Sequence, residues 1–265
     1  MHDIFAALIL GIVEGATEFL PVSSTGHLII AGHLLDFTGP RADAFEVIIQ
    51  LGAILAVVVL YRSTFLGLIR PGTPGRFQGL RGIRLLVLTS IPASILGLIV
   101  HNQIKEYLFH PLPVAWALGI GALAILAVER RAGNSGRFAT LDDITPALAL
   151  GIGFFQCLAL WPGFSRSAAT IMGGMLLGAN RRLAAEYSFL AAVPIMFAAT
   201  GFDLLKNWSL FGPKDLAVLA VGFVCSFLSA LVAVALFIRL LQRMSLRPFA
   251  WYRLVLAPMV FVFWT

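Results

Sequence analysis

Two polar stretches inside apolar sequence decide the fold of this chain: Glu14-Gly-Ala-Thr-Glu18-Phe-Leu-Pro21-Val-Ser-Ser-Thr25-Gly-His27 and Trp161-Pro-Gly-Phe-Ser165-Arg-Ser-Ala-Ala-Thr170. Each stretch is flanked by long runs of Leu, Ile, Val, Ala and Phe. An ionisable side chain in the core of a bilayer costs at least ~2.5 kcal/mol, so such residues usually mark a functional site. Because acids, a histidine and an arginine occur here among Ser, Thr, Gly and Pro, the stretches favour an anionic ligand over lipid.

The composition is that of a helical membrane protein. Of the 265 residues, 59% are hydrophobic and the mean hydropathy is +0.92, whereas soluble domains are about 45–50% apolar. The sequence has no basic stripe with interleaved aromatic residues, so a nucleic-acid partner is not expected. It therefore predicts an all-α polytopic membrane protein, with residues 1–265 forming a single domain in contact with membrane lipids.

Proline residues break the helical pattern at two places. Pro21 and Pro162 each follow an apolar run, and proline removes an N–H donor and disfavours helix at the residue before it. A polar stretch and a second short apolar run follow each proline, at 28–37 and 168–178. This pattern predicts two re-entrant helix hairpins, whose broken backbone must be buried in protein or line a polar cavity. The apolar segments lie at about 4–20, 45–61, 85–100, 113–128, 145–161, 187–205, 216–238 and 249–264.

The two halves of the chain, about 1–130 and 143–265, resemble each other. Gly11-Ile-Val-Glu14 corresponds to Gly153-Phe-Phe-Gln156 at an offset of 142 residues. If both hairpins are re-entrant, each half keeps three full spans, so the second half is inverted relative to the first. The sequence thus predicts inverted-topology repeats with six transmembrane helices, a design that is common where a site lies at mid-membrane.

The distribution of basic residues favours the same topology. If the loop 62–84 lies inside, 14 of the 19 basic residues are on the inner side, 4 are on the outer side, and Arg166 lies within the second hairpin. The positive-inside rule predicts such an asymmetry. The inner set includes Arg253 and the tandem Arg181 and Arg182, interpreted as topology signals. A plain eight-span arrangement is the alternative, but it gives the two prolines no role.

A pair of glutamates marks the first hairpin. Glu14 and Glu18 are four residues apart and therefore share one helix face. Within an apolar run, such a pair is typical of a divalent-cation site or of a site that combines metal binding with acid–base chemistry. Glu46 and Gln50 are also four apart, at the start of a span, and we expect them to have a supporting role near the site.

Hydroxyl-bearing residues begin the second helix of each hairpin. A helix N-terminus presents free N–H groups and the positive end of a dipole to an anion, although hydroxyls there also serve as N-caps. His27 follows Ser24 by three residues, and Arg166 offers a planar fork that matches phosphate oxygens. If the two hairpin tips meet, they form an anion clamp that fits phosphoryl chemistry. The expected substrate-binding residues are Ser23, Thr25, Gly26, Ser165, Ser167 and Thr170.

At these residues the chain resembles the undecaprenyl-pyrophosphate phosphatase family of the bacitracin-resistance type. The family motif Glu/Gln-x-x-x-Glu corresponds to Glu14 to Glu18 and continues through Pro21-Val-Ser-Ser-Thr-Gly-His27, and Pro-Gly-x-Ser-Arg-Ser-x-x-Thr corresponds to 162–170. The resemblance implies an integral enzyme of the bacterial inner membrane whose active site faces the periplasm. It would remove the terminal phosphate of undecaprenyl pyrophosphate, a polyprenyl lipid, and recycle the carrier for cell-wall synthesis with a divalent cation, Mg²⁺ or Ca²⁺.

The resemblance also assigns expected roles to the catalytic candidates. Glu14 and Glu18 hold the cation, or one of them acts as a base, and Arg166 binds the pyrophosphate. Ser24 is the expected nucleophile, and His27 would activate it or protonate the leaving phosphate; His27 as the nucleophile is the alternative. A lipid-phosphate flippase or an anion transporter is the alternative function, because transporters also use inverted repeats. The sequence leaves open the metal, a homodimer and the preferred polyprenyl length.

Overall fold

The computed structural model describes residues 2–132, 136–207, 210–241 and 243–264. Within these ranges the regular secondary structure is helical, apart from one isolated bridge between Phe138 and Ala179. The helices are α1 (His2–Thr17), α2 (Ser24–Leu34), α3 (Pro40–Leu60), α4 (Arg62–Leu68), α5 (Gly79–Ile99), α6 (His101–Gln103), α7 (Pro111–Ala132), α8 (Pro146–Gln156), α9 (Arg166–Leu176), α10 (Arg181–Asn207), α11 (Leu216–Leu241) and α12 (Arg247–Trp264).

The helices confirm the prediction of an all-α polytopic membrane protein. In the described ranges, five helices are long and apolar enough to cross a membrane: α3, α5, α7, α10 and α11. The expected sixth span corresponds to α12, which has 18 residues and contains Arg247 and Arg253. Helix α4 lies inside the loop predicted at 62–84. Residues 133–135, between the two predicted halves of the chain, lie outside the described residues.

Two pairs of short helices correspond to the predicted hairpins. Helix α1 has 16 residues, and α2, α8 and α9 have 11 each. Ser23 precedes α2 with φ 70° and Ser165 precedes α9 with φ 76°. A positive φ is uncommon for a residue with a Cβ atom. The same unusual backbone conformation therefore begins the second helix of each pair.

The helix packing follows a paired pattern. Helix α1 packs on α11 as α8 packs on α5, and α2 packs on α12 as α9 packs on α7. Helix α3 also contacts α10, and α7 contacts α12. If α1 is exchanged with α8, α2 with α9, α3 with α10, α5 with α11 and α7 with α12, each of these contacts becomes another of them or itself. The two hairpins consequently occupy equivalent positions in the helix assembly.

Glycines allow the hairpins to pack closely on the long helices. A Cβ atom at Gly15 would lie 2.1 Å from the carbonyl oxygen of Ser226 on α11, and a Cβ atom at Gly153 would lie 2.6 Å from that of Thr89 on α5. Small residues of this kind let helix backbones approach within a membrane. This close packing leaves Glu14, on the turn of α1 before Gly15, completely buried.

Two arginines that were interpreted as topology signals are buried in protein instead. Arg181 donates to both carboxylate oxygens of Glu129, at 2.8 and 2.7 Å. Arg253 has no exposed surface, and among the described residues its hydrogen bonds go to backbone carbonyl groups. The interpretation was wrong for these two residues, because composition cannot separate a loop charge from a buried one. Arg182 is exposed and pairs with Glu186 at 2.8 Å.

Candidate active site

The tips of the two hairpins meet, as predicted. Arg166 Nη2, at the start of α9, lies 3.0 Å from Glu18 Oε1, just after α1. The hydroxyl of Ser167 donates to the carbonyl oxygen of Leu20 at 2.8 Å. The contact between Arg166 and Glu18 is a charge-assisted hydrogen bond, which is stronger than a hydrogen bond between neutral groups. The acid of the first hairpin and the arginine of the second therefore belong to one site.

Glu18 also contacts the expected nucleophile. The Ser24 hydroxyl donates to Glu18 Oε2 at 2.6 Å, so the two carboxylate oxygens of Glu18 are engaged by Ser24 and Arg166. A carboxylate at this distance can accept the proton of the hydroxyl. The sequence left activation of Ser24 to His27 or to one of the two glutamates. In the structure the side chain that the Ser24 hydroxyl contacts is that of Glu18.

His27 is held by two contacts of its ring. Nδ1 lies 2.8 Å from the carbonyl oxygen of Ser23, and Nε2 lies 2.7 Å from the hydroxyl of Tyr252 on α12. The rings of His27 and Tyr252 stack with their centroids 5.5 Å apart. Because a carbonyl oxygen only accepts, Nδ1 must carry a proton, and Nε2 of the neutral ring then accepts from Tyr252. Sequence reasoning missed Tyr252, since a tyrosine in an apolar helix gives no distinctive signal.

Arg166 has several further contacts around its guanidinium group. Nη1 lies 3.2 Å from the carbonyl oxygen of Ser188 and 3.4 Å from its hydroxyl. The guanidinium carbon lies 5.3 Å from the ring centre of Phe19. In the described part of the chain, the buried Nε has no hydrogen-bond partner. Arg166 is thus oriented by α10 and by the first tip, and its Nε donor is not used by the described residues.

Glu14 is the least satisfied group of the site. It is fully buried, and among the described residues neither carboxylate oxygen has a hydrogen-bond partner. Its counterpart Gln156 donates to the carbonyl oxygen of Thr89 at 3.2 Å, and its amide oxygen likewise has no partner there. An isolated buried carboxylate is costly. Glu14 therefore suits a group that binds a proton or a cation.

The donor set fits a divalent cation only in part. In the described ranges, no three His, Cys, Asp or Glu residues form a cluster that could hold a metal. Glu14 has free oxygens, whereas those of Glu18 contact Ser24 and Arg166. Mg²⁺ commonly binds one or two carboxylates together with substrate phosphates and water. Glu14, with Glu18 beside it, fits that arrangement.

Comparison with known sequences identifies the family. A family model with the description bacitracin resistance protein BacA matches residues 7–259. The chain belongs to this family. It is 69% identical over 263 residues to the undecaprenyl-diphosphatase of Nitratidesulfovibrio vulgaris strain Hildenborough, with 99% of each chain covered. The undecaprenyl-diphosphatase of Maridesulfovibrio salexigens is 67% identical over 265 residues, covering 100% of both, and that of Lawsonia intracellularis 59% over 256 residues, covering 96% of both.

In this BacA-family chain, the expected substrate-binding hydroxyls fall into two groups. Ser167 and Thr170 are fully buried, and Thr170 Oγ1 lies 2.6 Å from Ser188 Oγ. The hydroxyl groups of Ser167 and Thr170 are therefore engaged by other residues of the protein. Ser165 caps α9 by accepting from the N–H of Ala168 at 3.2 Å.

The remaining predicted residues lie along the first turn of α2. Ser23 precedes the helix, Thr25 is partly exposed, and Gly26 is buried against Leu118. Glu46, on α3, lies beside α2: its Oε1 is 3.8 Å from the position that a Cβ atom would take at Gly32. The supporting role of Glu46 and Gln50 remains a prediction.

Proposed function

We infer that this chain is an undecaprenyl-diphosphatase, an enzyme that removes the terminal phosphate of undecaprenyl pyrophosphate and so recycles the lipid carrier. The relatives that match the whole chain carry this name. The observation that carries the inference is the position of Glu18 between Ser24 and Arg166. Ser24 as the nucleophile, Glu18 as the base and the guanidinium group of Arg166 as the phosphate-binding group would act side by side there, as covalent phosphoryl transfer requires.

The contacts support a two-step reaction. Arg166 and the N-terminus of α9 bind the pyrophosphate, since both favour anions. Ser24 Oγ attacks the terminal phosphorus while Glu18 accepts its proton, and the bond between that phosphorus and the bridging oxygen breaks. The lipid monophosphate leaves on the bridging oxygen. Water then attacks the phosphoserine, releases inorganic phosphate and restores the serine hydroxyl.

His27 is placed to handle a proton at the leaving group. Its Nε2 is the nitrogen that can accept a proton, and Tyr252 holds it in place at 2.7 Å. A proton taken up from water at Nε2 would be donated to the departing phosphate of the lipid.

A divalent cation would be held by Glu14, with Glu18 beside it. When bound, the cation neutralises phosphate charge and so favours transfer. The support is that both oxygens of Glu14 are unpartnered in the described part of the chain.

We place the enzyme in the bacterial inner membrane, with α12 as a sixth span, two re-entrant hairpins and the site open to the periplasm. The paired helix contacts support an inverted repeat, because exchanging the halves preserves them. The distribution of charge agrees: without Arg181 and Arg253, 12 basic residues remain on the inner side against 4 on the outer side. This asymmetry follows the positive-inside rule.

The polyprenyl tail of the substrate would lie in an apolar groove between α2 and α12. The groove has a volume of about 350 Å³, and the polar side chains of His27 and Tyr252 line one part of it. Its other walls are apolar, and Leu34 and Val255 are exposed there. A tail in this groove would leave its diphosphate beside His27, next to the catalytic cluster.

Phosphate release by purified wild-type and Ser24→Ala proteins tests the function. With undecaprenyl pyrophosphate in detergent micelles, we expect release by the wild type and a loss of ~10³-fold or more in the variant. Substrate labelled in the terminal phosphate should leave an acid-stable label on the protein, because phosphoserine survives acid and phosphohistidine does not. An acid-labile label would make His27 the nucleophile. No phosphate release, together with movement of lipid phosphate across liposomes, would identify a flippase instead.

A further inference from the structure

Arg253, on α12, contacts the tips of both hairpins. Nη1 lies 3.4 Å from the carbonyl oxygen of Pro21, and Nη2 lies 3.1 Å from that of Gly163. Pro21 and Gly163 each lie two residues before the serine with positive φ that precedes the second helix of its hairpin, Ser23 and Ser165. A single guanidinium group therefore binds equivalent carbonyl groups of both tips.

The same group is fixed to α7. Nε donates to the carbonyl oxygen of Leu118 and Nη2 to that of Ala117, both at 3.2 Å. A Cβ atom at Gly121 would lie 2.2 Å from Nη2, so this glycine makes room for the guanidinium group. Only arginine offers several donors in a rigid planar fork. Lysine is a compact point charge on a flexible stem.

Burial of this charge calls for an explanation. Arg253 has no exposed surface, and the ion pairs of the described residues do not include it. Arg181, the other deeply buried arginine, is neutralised by Glu129. An ionisable residue at membrane depth usually serves function, because it is costly there.

We propose that Arg253 is a positioning residue that holds the nucleophile on the first tip in register with the phosphate-binding Arg166 on the second. This proposal rests on the function inferred above. Ser24 and Arg166 belong to different hairpins, so their separation depends on the contact between the tips. A displacement of about 1 Å can cost ~10²-fold in rate. Arg253 binds both tips directly, and it thereby limits such a displacement.

Two variants disturb this contact in different ways. Arg253→Lys keeps the charge and removes the fork, and Gly121→Ala keeps Arg253 but pushes its guanidinium group aside. Gly119→Ala is the matched control on the same helix, since a Cβ atom at Gly119 meets nothing within 4 Å. Arg181→Lys is the control for a buried arginine. Its partner Glu129 lies about 17 Å along α7 from Leu118, at 1.5 Å per residue.

Kinetics of phosphate release and hydrogen exchange of the tip amides, followed by mass spectrometry in detergent, give two independent measurements. In Arg253→Lys and Gly121→Ala we expect kcat per folded molecule to fall ~10²-fold, KM to change less than ~3-fold, and exchange at 20–24 and 162–167 to become faster. Both controls should retain wild-type kcat and tip exchange.

The proposal is overturned if kcat in Gly121→Ala stays within ~3-fold of wild type, if only KM rises, or if tip exchange is unchanged. Should Arg253→Lys fail to fold, Gly121→Ala decides the matter alone. Hydrogen exchange needs no substrate, so it tests the contact even if the wild type releases no phosphate. That last result would refute the inferred function and leave the role of Arg253 to be judged from exchange.

Discussion

The Ser24 hydroxyl lies 2.6 Å from Glu18 Oε2, and this contact spans the break between α1 and α2. It exists because the chain turns sharply after α1, with Ser23 at φ 70°. The other oxygen of Glu18 contacts Arg166. One carboxylate therefore links Ser24, the proposed nucleophile of one hairpin, to Arg166, the proposed phosphate-binding residue of the other.

Glu18→Gln should abolish most activity while preserving the shape of the site. An amide cannot take the proton of Ser24, so we expect kcat to fall ~10²–10⁴-fold. KM should stay equal or fall, because Arg166 no longer pairs with a carboxylate. Steady-state phosphate release measures both constants. Glu106→Gln, at an exposed position, serves as the control. If the kcat of Glu18→Gln falls by less than ~10-fold, Glu18 is not the base.

Tyr252→Phe should have a smaller effect. The variant keeps the ring stacked on His27 but loses the hydrogen bond to Nε2, which is worth about 1 kcal/mol. We expect kcat/KM to fall ~3–10-fold, as measured by phosphate release at several pH values. Trp251→Phe is the matched control, since the neighbouring Trp251 is 61% exposed and does not line the groove beside His27. Equal losses in both variants would contradict a role for the Tyr252 hydroxyl.

The sequence predicted the helices and most of the candidate site, for one physical reason. Acids, hydroxyls and an arginine are costly in apolar sequence, so Glu14, Glu18 and Arg166 stand out against their surroundings. The prolines likewise mark the breaks, since they remove a donor from the helix. Such signals are local, and they can be read without knowing which helices are neighbours.

The remaining residues could not be predicted, because their roles depend on distant contacts. Tyr252 meets His27 across 225 positions, and Arg253 meets Pro21 across 232. In the local sequence, Tyr252 and Arg253 look like any other aromatic or basic residue near the start of a helix. The pairing of Ser24 with Glu18 depends on the geometry of a turn. Ser188 was missed for the same reason, since it reaches Arg166 only after α9 and α10 have packed.

Glu14→Gln should increase stability in the absence of metal and weaken the response to it. A buried carboxylate without partners destabilises the fold, and its replacement by an amide relieves that cost. In a chelator, we expect the variant to unfold at a temperature equal to or above that of the wild type. Added Mg²⁺ or Ca²⁺ should raise the wild-type transition temperature, because a ligand that binds the native state stabilises it. It should raise that of the variant less.

Gln156→Asn, in the other half of the chain, is the control for this experiment. It should respond to the cation as the wild type does. Equal responses of wild type and Glu14→Gln would remove Glu14 as a metal ligand. In that case the unpartnered oxygens of Glu14 would indicate a carboxyl group that holds a proton.

The ion pair between Glu129 and Arg181 should contribute to stability and not to catalysis. Besides the arginine, Glu129 accepts a hydrogen bond from the N–H of Leu246 at 2.8 Å, and Arg181 donates to the carbonyl oxygen of Met244 at 3.2 Å. The pair thus ties α7 and α10 to the turn before α12. Removing one partner leaves a buried charge unpaired, so Glu129→Leu should cost about 3–5 kcal/mol.

Replacing both partners should restore most of that loss. The double variant Glu129→Leu/Arg181→Met leaves no buried charge, and well-packed apolar replacements of buried pairs are often close to neutral. Thermal unfolding in detergent measures the three proteins, and phosphate release per folded molecule should be unchanged in all of them. A double variant as unstable as Glu129→Leu alone would mean that the hydrogen bonds to Leu246 and Met244, and not the balance of charge, stabilise this end of the bundle.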